Sequence, residues 1–263
     1  MPFSARLCVI LPAAGLGTRM SRTTSSNAET SGTSRKQFML LDGAPILAHT
    51  VRKFAASPLV TDIVVAVREE DVAATNEMLQ PESRGLRGTL TVVAGGDSRQ
   101  ESVEKAFASL DPAIDLVAVH DAVRPFVDLE TIRLVAEEAA ATGAAIVGIV
   151  PVDTVKQVSG AQAGGAKIRG TISRERLVLA QTPQVFRRDI LGRAFDAARG
   201  DHFVGTDEAS LVERLEDVEI SVVPGSERNI KITRPGDMDL ARLFFEQEKA
   251  RANAVDASGA VAR

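Results

Sequence analysis

Short apolar segments alternate with segments of helical periodicity along the first 150 residues, and no other feature constrains the fold as strongly. The predicted strands are Leu7–Leu11, Asp62–Val67, Leu90–Ala94, Leu116–Val119 and Ala145–Val150. The predicted helices are Pro45–Ala56, Glu69–Leu79, Glu101–Leu110 and a segment that runs from an N-cap at Asp128 to Ala141. Strands joined by helices pair in parallel, with the helices on both faces of the sheet. The sequence therefore predicts an α/β, Rossmann-like fold with a mixed, mostly parallel sheet.

Residues 150–176 interrupt this alternation. Two strand-like runs, Thr154–Val158 and Lys167–Ile172, flank a segment rich in Gly, Ala and Ser, which is the pattern of a hairpin with a long turn. The hairpin has too little apolar content to pack on its own body, so we expect it to project as a β-arm. A lone hairpin is marginal in water, and pairing with the same arm of a second chain would bury it.

The remaining segments return to the main body. They predict a strand within Leu177–Phe186, helices at Asp189–Ala198 and Thr206–Leu215, strands at Ile220–Val223 and Ile230–Ile232, and a final helix at Pro235–Lys249. We expect a single domain over residues 1–250. Residues 251–263 are small and polar, which is typical of a disordered tail.

Composition narrows the class of protein. The chain has 263 residues and a formal net charge of −4, which argues against a broad nucleic-acid-binding surface. Cys8 is the only cysteine, so internal disulfides and cysteine-based zinc sites are excluded. No apolar stretch reaches about eighteen residues, and no signal peptide is visible. We therefore expect a cytoplasmic enzyme or binding protein without membrane contact.

A loop of small residues follows the first strand. Its residues include Pro12, Ala13, Ala14, Gly15 and Gly17. Glycines allow a sharp turn, and the backbone N–H groups of such a turn can surround phosphate oxygens. Arg19 and Lys36 add two cations to this phosphate cradle. The next segment, Ser21–Ser34, is rich in Ser and Thr; it is either a mobile flap over the phosphates or an ordinary flexible loop.

Other phosphate-binding loops fit less well. The dinucleotide fingerprint requires a third glycine where Met20 stands, and the Gly-Lys-Ser/Thr of a P-loop is absent. A plain strand–turn–helix corner remains open from this loop alone. However, Gly95–Ser102 and His120–Arg124 also follow predicted strands, and ligands of such sheets bind beyond the carboxyl ends of the strands. We expect these loops to converge on one site.

Several motifs occur together, in order, from about Leu7 to Phe245. They are Pro12-Ala-Ala-Gly-Leu-Gly-Thr-Arg19, Lys36-Gln37-Phe38, Gly95-Gly96-Asp97-Ser98-Arg99 with Ser102, His120-Asp121-Ala122-Val123-Arg124-Pro125, Asp153-Thr154-Val155-Lys156, Gln181-Thr182-Pro183-Gln184, Thr206-Asp207-Glu208-Ala209-Ser210 and Asn229-Ile230-Lys231-Ile232-Thr233. The glycine loop alone marks only sugar-nucleotide pyrophosphorylases broadly. The whole ordered set resembles the 2-C-methyl-D-erythritol 4-phosphate cytidylyltransferase family.

The resemblance implies a reaction. CTP and methylerythritol phosphate would give the cytidine-diphosphate derivative and pyrophosphate, with Mg²⁺ or another divalent cation. The resemblance assigns catalytic roles to Arg19, Lys36 and Lys231. It assigns nucleotide binding to Pro12, Ala13, Ala14, Gly15, Gly17, Gly95, Gly96, Asp97, Ser102 and Ala122. It assigns the second substrate to Asp121, Arg124, Thr154, Arg174, Thr206 and Lys231, with Asp121 alternatively a metal ligand.

The resemblance also implies a homodimer formed through the β-arm, in which Thr154 and Arg174 reach the neighbour's methylerythritol phosphate. The chain departs from the family pattern in two places. A polar insertion separates Arg19 from Lys36, which leaves the course of the loop open, and Val123 stands where alanine is more common. The nearest rival activity is a ribitol 5-phosphate cytidylyltransferase. Wider rivals are another sugar-phosphate nucleotidyltransferase and a nucleotide-binding regulator on the same fold.

Overall fold

The structure is a computed structural model that describes residues 4–15, 35–160 and 166–260, with side chains described as far as residue 251. The strands are β1 (Leu7–Pro12), β2 (Leu40–Leu41), β3 (Ala44–Pro45), β4 (Val60–Val67), β5 (Leu90–Ala94), β6 (Leu116–Val119), β7 (Ala144–Ile149), β8 (Val155–Ser159), β9 (Lys167–Ile172), β10 (Leu179–Arg187) and β11 (Ser221–Pro224). The α-helices are α1 (Ile46–Ala55), α2 (Val72–Leu79), α3 (Arg99–Ala108), α4 (Leu129–Thr142), α5 (Arg188–Gly200), α6 (Glu208–Val212) and α7 (Pro235–Ala260).

Seven of the described strands form one sheet, in the order β11-β7-β10-β6-β1-β4-β5. β10 runs antiparallel to both of its neighbours, β6 and β7. The other neighbouring pairs are parallel. The predicted α/β, Rossmann-like fold with a mixed, mostly parallel sheet is therefore confirmed.

The sheet is covered on both faces, and β1 shows how the sequence achieves this. Leu7, Val9 and Leu11 belong to the apolar cluster that includes residues of α1 and α4, whereas Cys8 and Ile10 belong to the cluster that includes residues of α3 and α5. Successive side chains of a strand point to opposite faces, so a continuous apolar run is what a doubly covered strand needs. Burial also raises the pKa of the Cys8 thiol, which disfavours a reactive thiolate.

The β-arm is present as a two-stranded antiparallel sheet. Val155 of β8 lies opposite Ile172 of β9. Its apolar side chains are poorly covered: Val152, just before β8, is 72% exposed and Ile168 is 66% exposed. The predicted hairpin is confirmed, and its pairing with a second chain stays a prediction.

The C-terminal region differs from expectation at three points. The final helix continues to Ala260 instead of ending at Lys249, so most of residues 251–263 do not form the tail that we expected. Several alanines in this segment explain the difference, because alanine is the strongest helix former. Residues 230–232 form no strand. Helix α6 begins at Glu208 rather than Thr206.

Candidate active site

A cavity of about 610 Å³ opens at the carboxyl ends of β1, β4, β5 and β6. These strand ends bring together loops that lie far apart in the sequence. The sequence-predicted residues that line the cavity are Pro12, Ala13, Ala14, Gly15, Lys36, Gly95, Gly96, Asp97, Ser102, Asp121, Ala122 and Lys231. The expected convergence of the three loops is therefore observed.

The described part of the phosphate cradle, Pro12–Gly15, is tied to the segment that carries Lys36. The Ala13 N–H donates to the Ala66 carbonyl at 2.7 Å, which continues the β1–β4 pairing past the end of the strand. The buried Gln37 side chain donates to the Ala13 carbonyl at 2.5 Å. Gln37 thus anchors the short 3₁₀ turn Lys36–Phe38 against the cradle. Despite the polar insertion, Lys36 lines the same cavity as the cradle.

Residues Gly95–Ser102 form a second side of the cavity. We call these residues, together with Ala13–Gly15, the glycine wall. A Cβ added at Gly95 would lie 2.8 Å from Ser102 Oγ and 2.9 Å from Ala14 Cβ, so only glycine fits this close approach without a shift. Ser102 is buried; its hydroxyl accepts from the Gly96 N–H at 3.0 Å and donates to the Ser98 carbonyl at 2.8 Å. Ser98 in turn caps α3 by accepting from the Glu101 N–H. The wall is therefore held by the close approach at Gly95 and by hydrogen bonds between backbone groups and the hydroxyls of Ser98 and Ser102.

Asp121 lies at the centre of what we call the charged cluster, with Lys231, Arg124 and Arg99. Its Oδ2 atom lies 2.9 Å from Lys231 Nζ and 3.1 Å from Arg124 Nε, and its Oδ1 atom lies 3.4 Å from Arg99 Nε. Burial alone would raise the pKa of Asp121, but the charges of Lys231, Arg99 and Arg124 hold it well below its usual range. The carboxylate is thus ionised and keeps three cations together, of which Lys231 and Arg99 line the cavity.

A second carboxylate supports this cluster from inside the protein. Glu208, the first residue of α6, is 1% exposed and accepts from Arg99 Nη1 at 2.8 and 2.9 Å. Burial raises the pKa of Glu208, and the charge of Arg99 opposes that rise. Asp207 caps the same helix by accepting from the Ser210 N–H at 3.0 Å, and Gln184 donates to Asp207 at 2.8 Å. Arg99 is therefore fixed between α6 and Asp121.

Known proteins share this arrangement of sequence and fold. A family model described as 2-C-methyl-D-erythritol 4-phosphate cytidylyltransferase (IspD) matches residues 7–247. The proteins of that name from Solibacter usitatus and Acidobacterium capsulatum are 63% and 49% identical to this chain; the alignments cover 94% of this chain in both cases, and 98% and 100% of the two relatives. The chain belongs to the 2-C-methyl-D-erythritol 4-phosphate cytidylyltransferase family.

The fold comparison agrees with this assignment. The crystal structure of 4-diphosphocytidyl-2C-methyl-D-erythritol synthase from Anaerococcus prevotii matches with a TM-score of 0.76 at 25% identity, covering 92% of this chain and 96% of that one. The resemblance stated from the motifs is thus confirmed, as is the predicted enzyme class: the protein is a cytidylyltransferase, one of the nucleotidyltransferases. The match also favours the methylerythritol branch over the ribitol rival.

Some predicted site residues of this cytidylyltransferase are not at the cavity of the described chain. Arg124 contacts Asp121 and donates from Nη1 to the Asn229 carbonyl at 2.7 Å, one step behind the cavity surface. Thr206 is exposed just before α6. Thr154 and Arg174 are exposed on the β-arm, where the Arg174 guanidinium donates to the Val152 carbonyl. Gly17 and Arg19 lie outside the described residues, as does the segment from Ser21 to Ser34.

Sequence reasoning missed four supporting side chains. Gln37, Arg99 and Glu208 were named only as parts of motifs, and Lys105 was not singled out. Lys105 lines the cavity, and its Nζ donates to the Gly95 carbonyl at 3.1 Å. Each of them acts through contacts with segments distant in sequence or with backbone carbonyls. Membership of a motif was a hint for each of them except Lys105.

Proposed function

We propose that this protein transfers CMP from CTP to 2-C-methyl-D-erythritol 4-phosphate, giving 4-diphosphocytidyl-2-C-methyl-D-erythritol and pyrophosphate in nonmevalonate isoprenoid precursor biosynthesis. One observation carries the proposal beyond family membership: the same cavity is lined by Lys36 beside the phosphate cradle and by Lys231 of the charged cluster. Two cationic subsites suit two anionic substrates. A nucleotide-binding regulator needs only the first.

The chemistry explains why cations, rather than a general base, serve this site. A phosphate oxygen of methylerythritol phosphate, already anionic near neutral pH, attacks the α-phosphorus of CTP, and the bond to the β-phosphate breaks to release pyrophosphate. No side chain has to remove a proton from the nucleophile. Positioning and charge stabilisation therefore supply most of the rate. We assign Arg19 and Lys36 to the triphosphate and the transition state, and Lys231 and Arg124 to the second phosphate.

The glycine wall supports cytosine as the base. The Ser102 hydroxyl has the Ser98 and Gly96 carbonyls within reach at 2.8 and 3.4 Å; with its one proton donated to either of them, its oxygen accepts from a ligand. Cytosine presents an amino donor where uracil presents a carbonyl acceptor, so this orientation favours cytosine. We assign the nucleotide to Gly95, Gly96 and Ser102 together with the other predicted residues. These are Pro12, Ala13, Ala14, Gly15, Gly17, Asp97 and Ala122.

Asp121 does not fit as the centre of a protein-built metal site. Both of its oxygens contact cationic side chains, and within the described residues no group of three His, Cys, Asp or Glu side chains is placed to hold a metal ion. Mg²⁺ is commonly held through one or two carboxylates plus substrate phosphates. We therefore propose that Mg²⁺ enters with the phosphates of CTP, whose charge it neutralises, and that Asp121 serves the second substrate.

The β-arm suits a second copy of the chain. Apolar side chains on and beside it are exposed, and the predicted substrate residues Thr154 and Arg174 are not among the described residues that line the candidate active-site cavity. We propose a homodimer in which these two residues complete the neighbour's site; Thr206 would face the same substrate.

Two inactive variants, Lys36→Ala and Arg174→Ala, test this homodimer. Mixed dimers carry one intact site each, so random re-pairing restores about a quarter of the sites. No recovery after verified exchange contradicts the shared site.

The overall assignment is tested by measuring pyrophosphate release for each of the four NTPs with methylerythritol phosphate, ribitol 5-phosphate and other sugar phosphates. We expect the highest kcat/KM for CTP with methylerythritol phosphate. A preference for ribitol 5-phosphate, UTP or GTP would replace the proposal with one of the rival activities. A cytoplasmic location is part of the same proposal. Separately, no helix in the described residues is long and apolar enough to span a bilayer.

A further inference from the structure

Asp121, Arg124 and Lys231, which are all assigned to the second substrate, come from two distant segments, and a buried third segment connects them. Arg124 lies in the loop after β6, Lys231 lies in the loop after β11, and Thr182 lies within β10 between them. Ion pairs with Asp121 alone would join the loops after β6 and β11 to each other but would not fix them relative to β10. A closed set of hydrogen bonds joins all three segments behind the charged cluster.

The circuit runs through four residues: Arg124, Asn229, Thr182 and His120. Arg124 Nη1 donates to the Asn229 carbonyl at 2.7 Å, and Asn229 Nδ2 donates to the Thr182 carbonyl at 2.8 Å. The Thr182 hydroxyl lies 3.1 Å from His120 Nδ1, and His120 Nε2 lies 3.0 Å from the Arg124 carbonyl. The circuit therefore closes on the residue where it began.

The direction of each hydrogen bond follows from the groups present. A carbonyl oxygen only accepts, so His120 Nε2 carries a proton that it donates to Arg124. A fully buried imidazole without a carboxylate against its ring is neutral, because burial of a charge is strongly unfavourable. His120 Nδ1 is then the acceptor, and the Thr182 hydroxyl donates to it. This leaves the Thr182 oxygen to accept from the Asp121 N–H, at 3.1 Å.

We propose that His120, as the neutral Nε2–H tautomer, and Thr182 are positioning residues that set the geometry of Asp121, Arg124 and Lys231 toward the second substrate. The inference rests on the proposed function for the identity of that substrate. Thr182 is the decisive member, because its hydroxyl joins the Asp121 backbone to the imidazole. Neither residue lines the cavity, so both act through the residues that they hold.

A matched pair of substitutions at one position tests the proposal. Thr182→Val replaces the hydroxyl with a methyl group at nearly constant shape, whereas Thr182→Ser keeps the hydroxyl and removes the methyl group. We expect Thr182→Val to raise the KM for methylerythritol phosphate about tenfold, the scale for buried hydrogen-bonding groups left without partners, with the KM for CTP changed less than about twofold. Thr182→Ser is expected to stay within about twofold of wild type for both. Thr75→Val, at a buried threonine of α2, controls for the loss of any buried hydroxyl.

A general structural role predicts a different pattern. Equal rises in both KM values, a fall in kcat alone, or a Thr182→Ser variant as defective as Thr182→Val would each overturn the proposal.

Nitrogen NMR of the protein labelled with ¹⁵N in its histidine rings gives a second readout that needs no substrate. The signals are assigned with the variants His49→Gln and His202→Gln. We expect His120 to carry its proton on Nε2, and a proton on Nδ1 would contradict the circuit. If wild type does not use methylerythritol phosphate, the proposed function fails, while the tautomer still decides the circuit.

Discussion

The glycine wall and the charged cluster face the same cavity but are held by different forces. At the glycine wall, small residues approach one another closely, and backbone groups bond to Ser102, Ser98 and Gln37. At the charged cluster, Asp121 holds three cations and Glu208 holds one of them from behind. We propose that the first side selects its nucleotide by shape and by hydrogen bonding to the base. The second side is a preformed set of charges.

This difference suggests how each side responds to its ligand. At Gly95 the glycine wall is packed so closely that even an added methyl group would require a shift, so we expect little rearrangement there on binding. In the charged cluster, Lys231 and Arg124 are already paired with Asp121, and we propose that an incoming phosphate competes with Asp121 for them. The cluster thus avoids the cost of unpaired buried charge before the substrate binds. Substitutions on the two sides are expected to affect different kinetic constants.

The largest effect is expected from Lys36, which lies beside the cradle. Lys36→Ala is expected to lower kcat by on the order of 10²–10³, the scale for one lost electrostatic stabiliser, and the same holds for Arg19→Ala. Steady-state kinetics with both substrates varied measures this. Lys53→Ala, which removes a lysine paired with Glu248 away from the cavity, is the control. A raised KM for CTP at unchanged kcat would show uniform binding instead and contradict the assignment.

An intermediate effect is expected in the charged cluster. Lys231→Met keeps much of the side-chain length but removes the charge, so kcat/KM for methylerythritol phosphate is expected to fall about 10- to 100-fold, the scale for a hydrogen bond to a charged group. Lys231→Arg keeps the charge and is expected to lose less. Equal losses in the two variants would mean that geometry, not charge, matters at this position.

A smaller effect is expected at the glycine wall. Gly95→Ala introduces a Cβ that meets Ser102 and Ala14, so the KM for CTP is expected to rise about tenfold through overpacking. Gly200→Ala, at the end of α5, meets no atom within 4 Å and is the matched control. An unchanged KM for CTP in Gly95→Ala would show that the wall yields and that its close packing is not what selects the nucleotide.

The smallest effect concerns how the free energy of unfolding depends on pH. The pKa of Asp121 is lower in the folded protein than its usual value, so its contribution to stability is complete above the unfolded-state pKa of about 3.9 and is lost as the pH falls through the folded-state pKa. Urea unfolding of wild type and Asp121→Asn is expected to show a constant difference in free energy between pH 7 and pH 5. That difference is expected to shrink below about pH 4. A decline already between pH 7 and pH 5 would mean that the pKa is not lowered.

The sequence predicts the sheet and the loops at its edge well, because apolar strands, caps and glycines are local signals. Asp128, for example, caps the start of α4 as expected, because its side chain accepts from the Thr131 N–H. The helix ends one residue beyond the predicted Ala141, and Gly143 follows it in a left-handed conformation. The extent of α7 was underestimated because small residues were interpreted as a tail. Residues 230–232 carry a β-like pattern, but Ile232 instead bonds through its N–H to the Val123 carbonyl.

Within the site, sequence motifs predict which residues line the cavity but not which side chains hold them. Gln37 reaches Ala13, and Arg99 reaches Glu208 across 109 positions of sequence. Such pairs depend on how the strands are ordered in the sheet, which local patterns do not encode. His120 likewise contacts Thr182, which lies 62 positions further along the chain.

The division of the cavity into two sides is tested most directly by a double-mutant cycle of Gly95→Ala and Lys231→Met, with both KM values and kcat measured for all four proteins. The account predicts that Gly95→Ala raises the KM for CTP and that Lys231→Met lowers kcat/KM for methylerythritol phosphate. In the double variant the two effects are expected to be independent, within about 0.5 kcal/mol of additivity. If each single substitution weakens both substrates equally, or if the two effects are strongly coupled, the two sides act as one and the account is contradicted.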